Sequence, residues 1–270
     1  MADIAKTSEV LEQYADDSNF KVRQNFGKKY SAKSQEFQQW VFEQMTIPPQ
    51  VRILEVGCGN GTFWDKNYDK LPTGVDLILT DISPGMVKIT GDKFKNHANI
   101  ETLVADIQNL PFDDEQFDIV IAKHMLYHVP DVNKGLREVV RVLKPNGKFY
   151  ATGHGSEFHD WFHQAVYKYS GGQVDVLDIS KYPFSLLNGV ELLSKYFDNV
   201  KQYDFYDPLE IPVDEAMAIE GWARSSQMMF DLDPKILNGF AEYVKTYADA
   251  RGTIVIPKHF GLVTGTKRTA

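Results

Sequence analysis

Glu55-Val56-Gly57-Cys58-Gly59-Asn60-Gly61-Thr62 closes the apolar run that begins at Val51, and its reading decides the fold. Glycines at 57, 59 and 61 let the backbone bend sharply and come close to a ligand with no Cβ in the way. In a doubly wound sheet, the turn between the first strand and the first helix lies at the carboxyl edge, where ligands bind. A dinucleotide loop reads G-x-G-x-x-G, but Thr62 stands three residues after Gly59, and no Walker lysine follows. Taken alone, the stretch is equally a tight turn with no ligand.

Outward from that loop, short apolar runs alternate with helical patterns from Val51 to about Gly153. Strands are predicted at Val51 to Val56, Leu77 to Thr80, Ile100 to Val104, Phe117 to Ala122 and Lys148 to Thr152. Between them, Ser83-Pro84 reads as an N-cap followed by proline at the first helical position. Leu136, Val139, Val140 and Leu143 form the apolar face of another helix, closed by Lys144-Pro145-Asn146-Gly147. This alternation implies right-handed crossovers and a parallel sheet covered by helices on both faces.

The flanks read differently. Residues 1–48 read as helices, with Phe37, Trp40, Val41 and Met45 on one face and Ile47-Pro48-Pro49 ending the run. Beyond Gly153, Phe158 to Tyr169 is predicted helical, and Val200 to Tyr206 and His259 to Thr266 are predicted strands. The stretches Val213 to Phe230 and Pro234 to Ala250 are helical in pattern and too long for a hairpin loop, which predicts a cap. Ile219, Trp222 and the Met228-Met229-Phe230 cluster share a helical spacing and read as its packing face, or as a wall for an apolar ligand.

Two further acids give the loop its meaning. Asp81 follows Gly57 by 24 residues, at the end of the second predicted strand, where a carboxylate accepts bonds from a ribose diol. Asp106 follows Asp81 by 25 residues, after the third strand, within reach of an exocyclic base amine. Singly, each is more often a solvated loop acid or a cap, and it is their registration with the strands that carries the weight. With Glu55 they stand at three successive strand ends and shape an electronegative slot. That slot suits a cationic, phosphate-free nucleoside better than NAD or ATP.

Composition removes other classes. The formal charge of −8 disfavours nucleic acid as a partner, and the single cysteine, Cys58, forms neither an internal disulfide nor a cysteine-rich zinc site. Cys58 reads as a small buried filler beside the loop. No metal is expected. No apolar stretch approaches the ~20 residues of a membrane helix, and the opening MADIAKTSEV lacks the layout of a signal peptide. Cytoplasmic residence is the default expectation; the oligomeric state is not legible.

In order, E-V-G-C-G-N-G, L-T-D-I-S, A-D-I, F-D-I-V-I-A-K-H-M-L-Y-H-V-P-D and R-V-L-K-P-N-G-K-F resemble class I S-adenosylmethionine-dependent methyltransferases. Within that class the pattern is similar to type-11 domains, including the ubiquinone and menaquinone enzymes. The resemblance covers about 51–153, and departs from the usual Gly-Gly pair at Asn146-Gly147. It implies an α/β, Rossmann-like doubly wound sheet of seven strands, mostly parallel with the last antiparallel. Residues 1–48 would form an N-terminal helical lid, and 49–270 the methyltransferase domain, with helical insertions at about 155–198 and 213–250.

The resemblance also implies roles. Gly57 and Gly59 would approach the methionine part of the cofactor, and Glu55 would order the loop and the amino group. Asp81 would hold the ribose diol, Ile82 would pack on the adenine, and Asp106 and the Ile107 N–H would read its edge. The Lys123 carbonyl would contact the amino group. The lid would carry Arg23 and Tyr30, for which a surface helix pinned by its aromatics is the other reading. Tyr127, His128 and His154 follow strands at the ligand edge; His128 is equally a hydrogen-bonding residue at a helix boundary. His124 is either a base for a protonated acceptor or simply wall.

The implied activity moves the methyl of S-adenosylmethionine to a small, partly apolar molecule, leaving S-adenosylhomocysteine. Aromatic residues, 13% of the chain with many in the flanks, motivate that acceptor. A non-catalytic module binding the same nucleoside, and an NAD-linked oxidoreductase, are the alternatives.

Overall fold

The computed structural model describes residues 11–12, 14–173, 179–226 and 234–269. Strands β1 (Arg52–Val56), β2 (Asp76–Asp81), β3 (Ile100–Val104), β4 (Phe117–Lys123), β5 (Leu143–His154), β6 (Phe197–Tyr206) and β9 (His259–Lys267) form one sheet, in the order β3-β2-β1-β4-β5-β9-β6. Pairing is parallel from β3 to β5, while β9 runs antiparallel to both β5 and β6. This is the expected seven-stranded, Rossmann-like arrangement, with the last strand reversed.

The central strands are mostly apolar in their middles because both faces of the sheet are covered. Successive side chains alternate between faces. Ile53, Leu77, Leu79, Ile119 and Ile121 enter one core, with Val41 of α2 (Phe37–Glu43), Phe63 and Trp64 of α3 (Thr62–Asn67), and Phe94 of α4 (Pro84–Phe94). Leu54, Val56, Ile78, Val120 and Ala122 enter the other, against α5 (Val132–Val142) and Leu192 and Leu193 of α7 (Gly189–Ser194).

Local chemistry sets the helix starts. The Ser83 hydroxyl accepts from the Met86 N–H at 3.3 Å ahead of Pro84, and the Asp131 carboxylate accepts from the Lys134 N–H at 2.9 Å. Leu143, predicted as the last apolar residue of α5, instead opens β5 opposite Phe117. Asn146 and Gly147 then form an irregularity in that strand. Asn146 takes φ +61°, and a Cβ on Gly147 would sit 2.8 Å from the Lys144 carbonyl oxygen.

A third core stands over the carboxyl edge. It gathers Phe26 and Tyr30 of α1 (Ser18–Tyr30), Phe158 and Phe162 of α6 (Glu157–Tyr169), Trp222 of α8 (Met217–Ser225) and Phe240 of α9 (Phe240–Val244). The helices predicted over 213–250 are shorter than their patterns. They are bracketed by a small antiparallel sheet that the sequence reading missed, β7 (Leu209–Pro212) and β8 (Thr253–Ile256). Segments remote in sequence thus share one apolar core above the sheet. Met228, Met229 and Phe230 lie outside the described residues.

Candidate functional site

A cavity of about 800 Å³ opens at the carboxyl ends of β1 to β5, beneath the third core. That is near the upper end of the roughly 300–1,000 Å³ typical of small-molecule sites, so two modest ligands fit side by side.

The glycine loop forms one wall. Gly57, Gly59 and Gly61 take φ of +70°, +56° and +73°, the left-handed region that a side chain rarely adopts. A Cβ on Gly57 would stand 2.7 Å from Cγ of Met125, so that glycine is required by packing. At Gly59 a Cβ would meet nothing nearer than Phe20, at 3.9 Å, and would project into the cavity. The loop is held by backbone bonds: the Cys58 N–H donates to the Thr80 carbonyl at 2.8 Å, and the Gly59 N–H to Oδ2 of Asp81 at 2.9 Å. The Cys58 thiol is buried, which pushes its pKa well up and leaves it inert.

Asp81 lies at the tip of β2 and lines the cavity. Its Oδ1 accepts from the Ser83 N–H at 2.9 Å, so both oxygens are held by backbone N–H groups while the carboxylate keeps acceptor capacity toward the cavity. Burial raises its pKa, and the N–H groups of Ser83, Gly59 and Ile82 oppose that rise. Asp106 also lines the cavity while its Oδ1 accepts from the Gln108 N–H at 2.8 Å, so it turns the chain as well. Ile82 and Ile107 flank these two acids on the cavity wall.

Glu55 departs from the expected slot. It has no solvent exposure, is not on the cavity wall, and has Lys123 Nζ at 3.4 Å from its carboxylate. Burial raises its pKa, and the Lys123 ammonium and Trp64 indole oppose that. Two carboxylates, not three, therefore face the cavity from adjacent strand ends. Glu55 acts from behind the loop. The Lys123 ammonium also donates to Oε1 of Gln38, at 3.2 Å, tying β4 to α2.

The N-terminal segment forms part of the cavity wall. Ser83 Oγ donates to the Tyr14 carbonyl at 2.7 Å, and the Tyr14 hydroxyl and Nε2 of His128 lie 3.3 Å apart. Arg23 lines the cavity and stands 5.9 Å and 6.0 Å from the ring centroids of Tyr14 and Phe20. Tyr30 does not line the cavity. Its ring is buried in the third core and its hydroxyl donates to Glu215, 2.5 Å away, so it anchors α1 instead of facing a ligand. The aromatics that α1 and its lead-in present to the cavity are Tyr14, Phe20 and Phe26.

A wall of imidazoles completes the far end. His124 has φ +48°, a strained value for a residue with a side chain, held by its N–H donating to Thr152 Oγ1 at 3.0 Å. Its ring lies 4.6 Å from that of His154, which lies 5.0 Å from that of His159. Burial lowers the pKa of His124 to about 3, His128 to about 4 and His159 to about 3, and that of His154 well below its ordinary value. At neutral pH all four rings are uncharged. Tyr127 adds a hydroxyl 3.3 Å from Nε2 of His154.

Sequence reasoning missed Tyr14, Phe37, His159, Lys258 and Phe260, all on the cavity wall, while Trp222, read as a packing face or a wall for an apolar ligand, is both buried in the third core and on that wall. For Lys258 and Phe260 a signal existed: the start of an antiparallel strand lies at the same edge as the ends of the parallel ones. For His159 none did, since its helical spacing suits a core face equally well. Among the described residues no helix is long and apolar enough to cross a membrane.

Comparisons with known proteins agree with this geometry. The family profile described as Methyltransferase domain matches residues 54–151. The demethylmenaquinone methyltransferase of Staphylococcus carnosus is 37% identical over 109 residues, which are 40% of this chain and 44% of that protein. The Bacillus subtilis protein YrhH, whose name gives it as a methyltransferase without a substrate, is 33% identical over 134 residues, 47% of this chain and 73% of its own. The first curated relatives are otherwise spanned over only 33–44% of their length. The crystal structure of the [4+2]-cyclase SpnF shares the fold, with a TM-score of 0.61 at 16% identity over 98% of each chain. A strand-tip acid on a glycine loop, the matching profile and the broad coverage of YrhH lead to one conclusion: this chain belongs to the class I S-adenosylmethionine-dependent methyltransferases.

Proposed function

We propose that this protein transfers the methyl group of S-adenosylmethionine to a small, partly apolar acceptor and releases S-adenosylhomocysteine. The observation that carries the reading is Asp81, which bonds the Gly59 N–H while facing a cavity with room for two ligands. The residues fit the nucleoside. Asp81 has lone pairs left for a diol, Asp106 and Ile107 stand where an adenine edge would lie, and Ile82 offers an apolar surface for its face. Gly59 leaves room for the methionine part, Gly57 lets the loop bend beside it, and the Lys123 carbonyl is its amino-group partner.

When bound, S-adenosylmethionine supplies an electrophilic methyl on a sulfonium. The chain contributes position and dryness: in-line placement of the acceptor accounts for much of the acceleration in such a displacement. The lid is assigned to residues 1–48, of which 1–10 and 13 lie outside the described residues, with Tyr14 and Arg23 as its contacts to the cavity, and the rest of the chain to the catalytic domain with its cap. His124, uncharged at the end of β4 with burial holding its pKa to about 3, is a weak base at rest and takes a proton from the acceptor only as the forming bond to the methyl makes that proton strongly acidic. The quinone-related relative supports an apolar acceptor.

Calorimetry tests the reading directly. S-adenosylhomocysteine is expected to bind and NAD is not; NAD binding without the nucleoside would favour an oxidoreductase. Transfer of labelled methyl to a metabolite extract then separates an enzyme from a binding module. His124→Ala is expected to lower turnover by about 10²-fold or more, with S-adenosylhomocysteine affinity within about twofold. Unchanged turnover would leave His124 as wall. Deleting residues 1–17 removes the two bonds of Tyr14 and is expected to quicken S-adenosylhomocysteine release about ten- to thirtyfold. Stopped-flow release at the parent rate would exclude the lid.

A further inference from the structure

The far end of the cavity is built for more than an apolar fit. His159 is 1% exposed, and both its ring nitrogens are buried with no hydrogen-bond partner among the described residues. The same holds for both ring nitrogens of His124 and for Nδ1 of His154. All three rings line the cavity, and they arrive from three elements: the end of β4, the end of β5 and the first turn of α6. A buried imidazole left without partners costs stability, so a fold that gathers three of them around one cavity is arranged for a polar group from elsewhere.

Their protonation state selects that group. Each uncharged imidazole carries one N–H and one bare nitrogen, so the cluster presents donors and acceptors in either tautomer. A hydroxyl is donor and acceptor at once and satisfies such a pair. A carboxylate accepts only and would need a cation. The buried ammonium groups beside the cluster are already paired, Lys123 with Glu55 and Lys258 with Asp207, and the Asp207 carboxylate also accepts from Ser31 Oγ at 2.7 Å. An ammonium ligand would need a free anion, and among the described residues no carboxylate acts on any of the three histidines. The ring centroid of Phe260 lies 4.9 Å from those of both His124 and His154, and Phe37 lies 5.2 Å from His124, so apolar faces flank the polar atoms.

Resting on the methyltransferase reading, we infer that the acceptor is an uncharged, ring-sized apolar molecule bearing a hydroxyl, which His124, His154 and His159 hold between Phe37 and Phe260. His159 is a binding residue here and touches the hydroxyl; it is not assigned the proton transfer.

Equilibrium dialysis against protein saturated with S-adenosylhomocysteine tests this with 2-naphthol, 2-methylnaphthalene, 2-naphthoate and 2-naphthylmethylammonium, which share a ring and differ in one group. The hydroxyl probe is expected to bind about tenfold or more tightly than the methyl probe, with both charged probes weaker than the hydroxyl. His159→Leu is expected to reduce that preference to within about twofold, and His159→Gln, which keeps a donor and an acceptor, to retain it. S-adenosylhomocysteine affinity within about twofold in both variants shows that the fold is intact. Equal binding of the hydroxyl and methyl probes, or tighter binding of a charged one, overturns the inference while leaving the methyltransferase reading in place. Failure of S-adenosylhomocysteine to bind at all overturns both.

Discussion

Asp81→Ala is expected to weaken S-adenosylhomocysteine binding by about 1.5–3 kcal/mol, roughly 10- to 150-fold in Kd. The carboxylate has two tasks that the substitution removes together. It holds the Gly59 N–H at 2.9 Å, fixing the loop, and it offers its remaining lone pairs to a diol. Burial makes both bonds stronger than they would be in water, because no solvent competes for the carboxylate. Asp81→Asn separates the tasks. One oxygen can still receive the loop N–H, while the charge is gone, so its loss of affinity is expected to fall between parent and alanine. Titration calorimetry reads both variants, and parent-like affinity in Asp81→Ala would remove this residue from the site.

Lys123→Met is expected to destabilise the fold by about 3–5 kcal/mol, because it leaves the Glu55 carboxylate buried without its counter-charge. Glu55 has zero exposure, and its nearest cation is the ammonium 3.4 Å away. Burial already raises the Glu55 pKa, with Lys123 the largest influence pulling it back, so the variant raises it further. The folded variant then holds a proton that the unfolded chain releases above about pH 4.3. Stability consequently falls as pH rises through the interval between those two pKa values, and the deficit is expected to be smaller at pH 5 than at pH 8. Adding Glu55→Leu to Lys123→Met removes both charges and is expected to recover most of the loss. Urea unfolding at the two pH values checks this; a deficit below about 1 kcal/mol, or one independent of pH, would show that the pair is not what satisfies Glu55.

The methyltransferase core was legible in the sequence to within a few residues. Strand Ile100–Val104 has the bounds its apolar run suggests, and the other sheet strands differ mainly at their ends, where flanking residues continue a ladder that polarity does not reveal. Leu143 shows why. It lies at the right spacing for the face of α5, but pairing with Phe117 draws it into β5. The missed strands Leu209–Pro212 and Thr253–Ile256 are four residues each, too short to carry a period, and they exist because each supplies the other's backbone partners.

The site divides along the same line. Asp81, Asp106 and the glycines were readable because they follow strands in order, and a parallel sheet sends every such turn to one edge. Glu55 meets the same rule yet lies behind the loop. Its neighbour Lys123 comes from a strand adjacent in space and 68 residues away in sequence, which no local pattern encodes. Tyr30 was readable as a buried aromatic on a helix, but which body it anchors to depended on Glu215 and Trp222 arriving from the far end of the chain.

By itself, then, the order of residues determined the doubly wound sheet, its ligand edge and the acids at its strand ends, since periodicity and turn chemistry are local properties. Only the tertiary structure decided which of those acids face the cavity, that the N-terminal helix and the later helices share one core, and that three histidines from three elements converge on one wall. Convergence of that kind is set by contacts between distant segments, and distance along the chain says nothing about it.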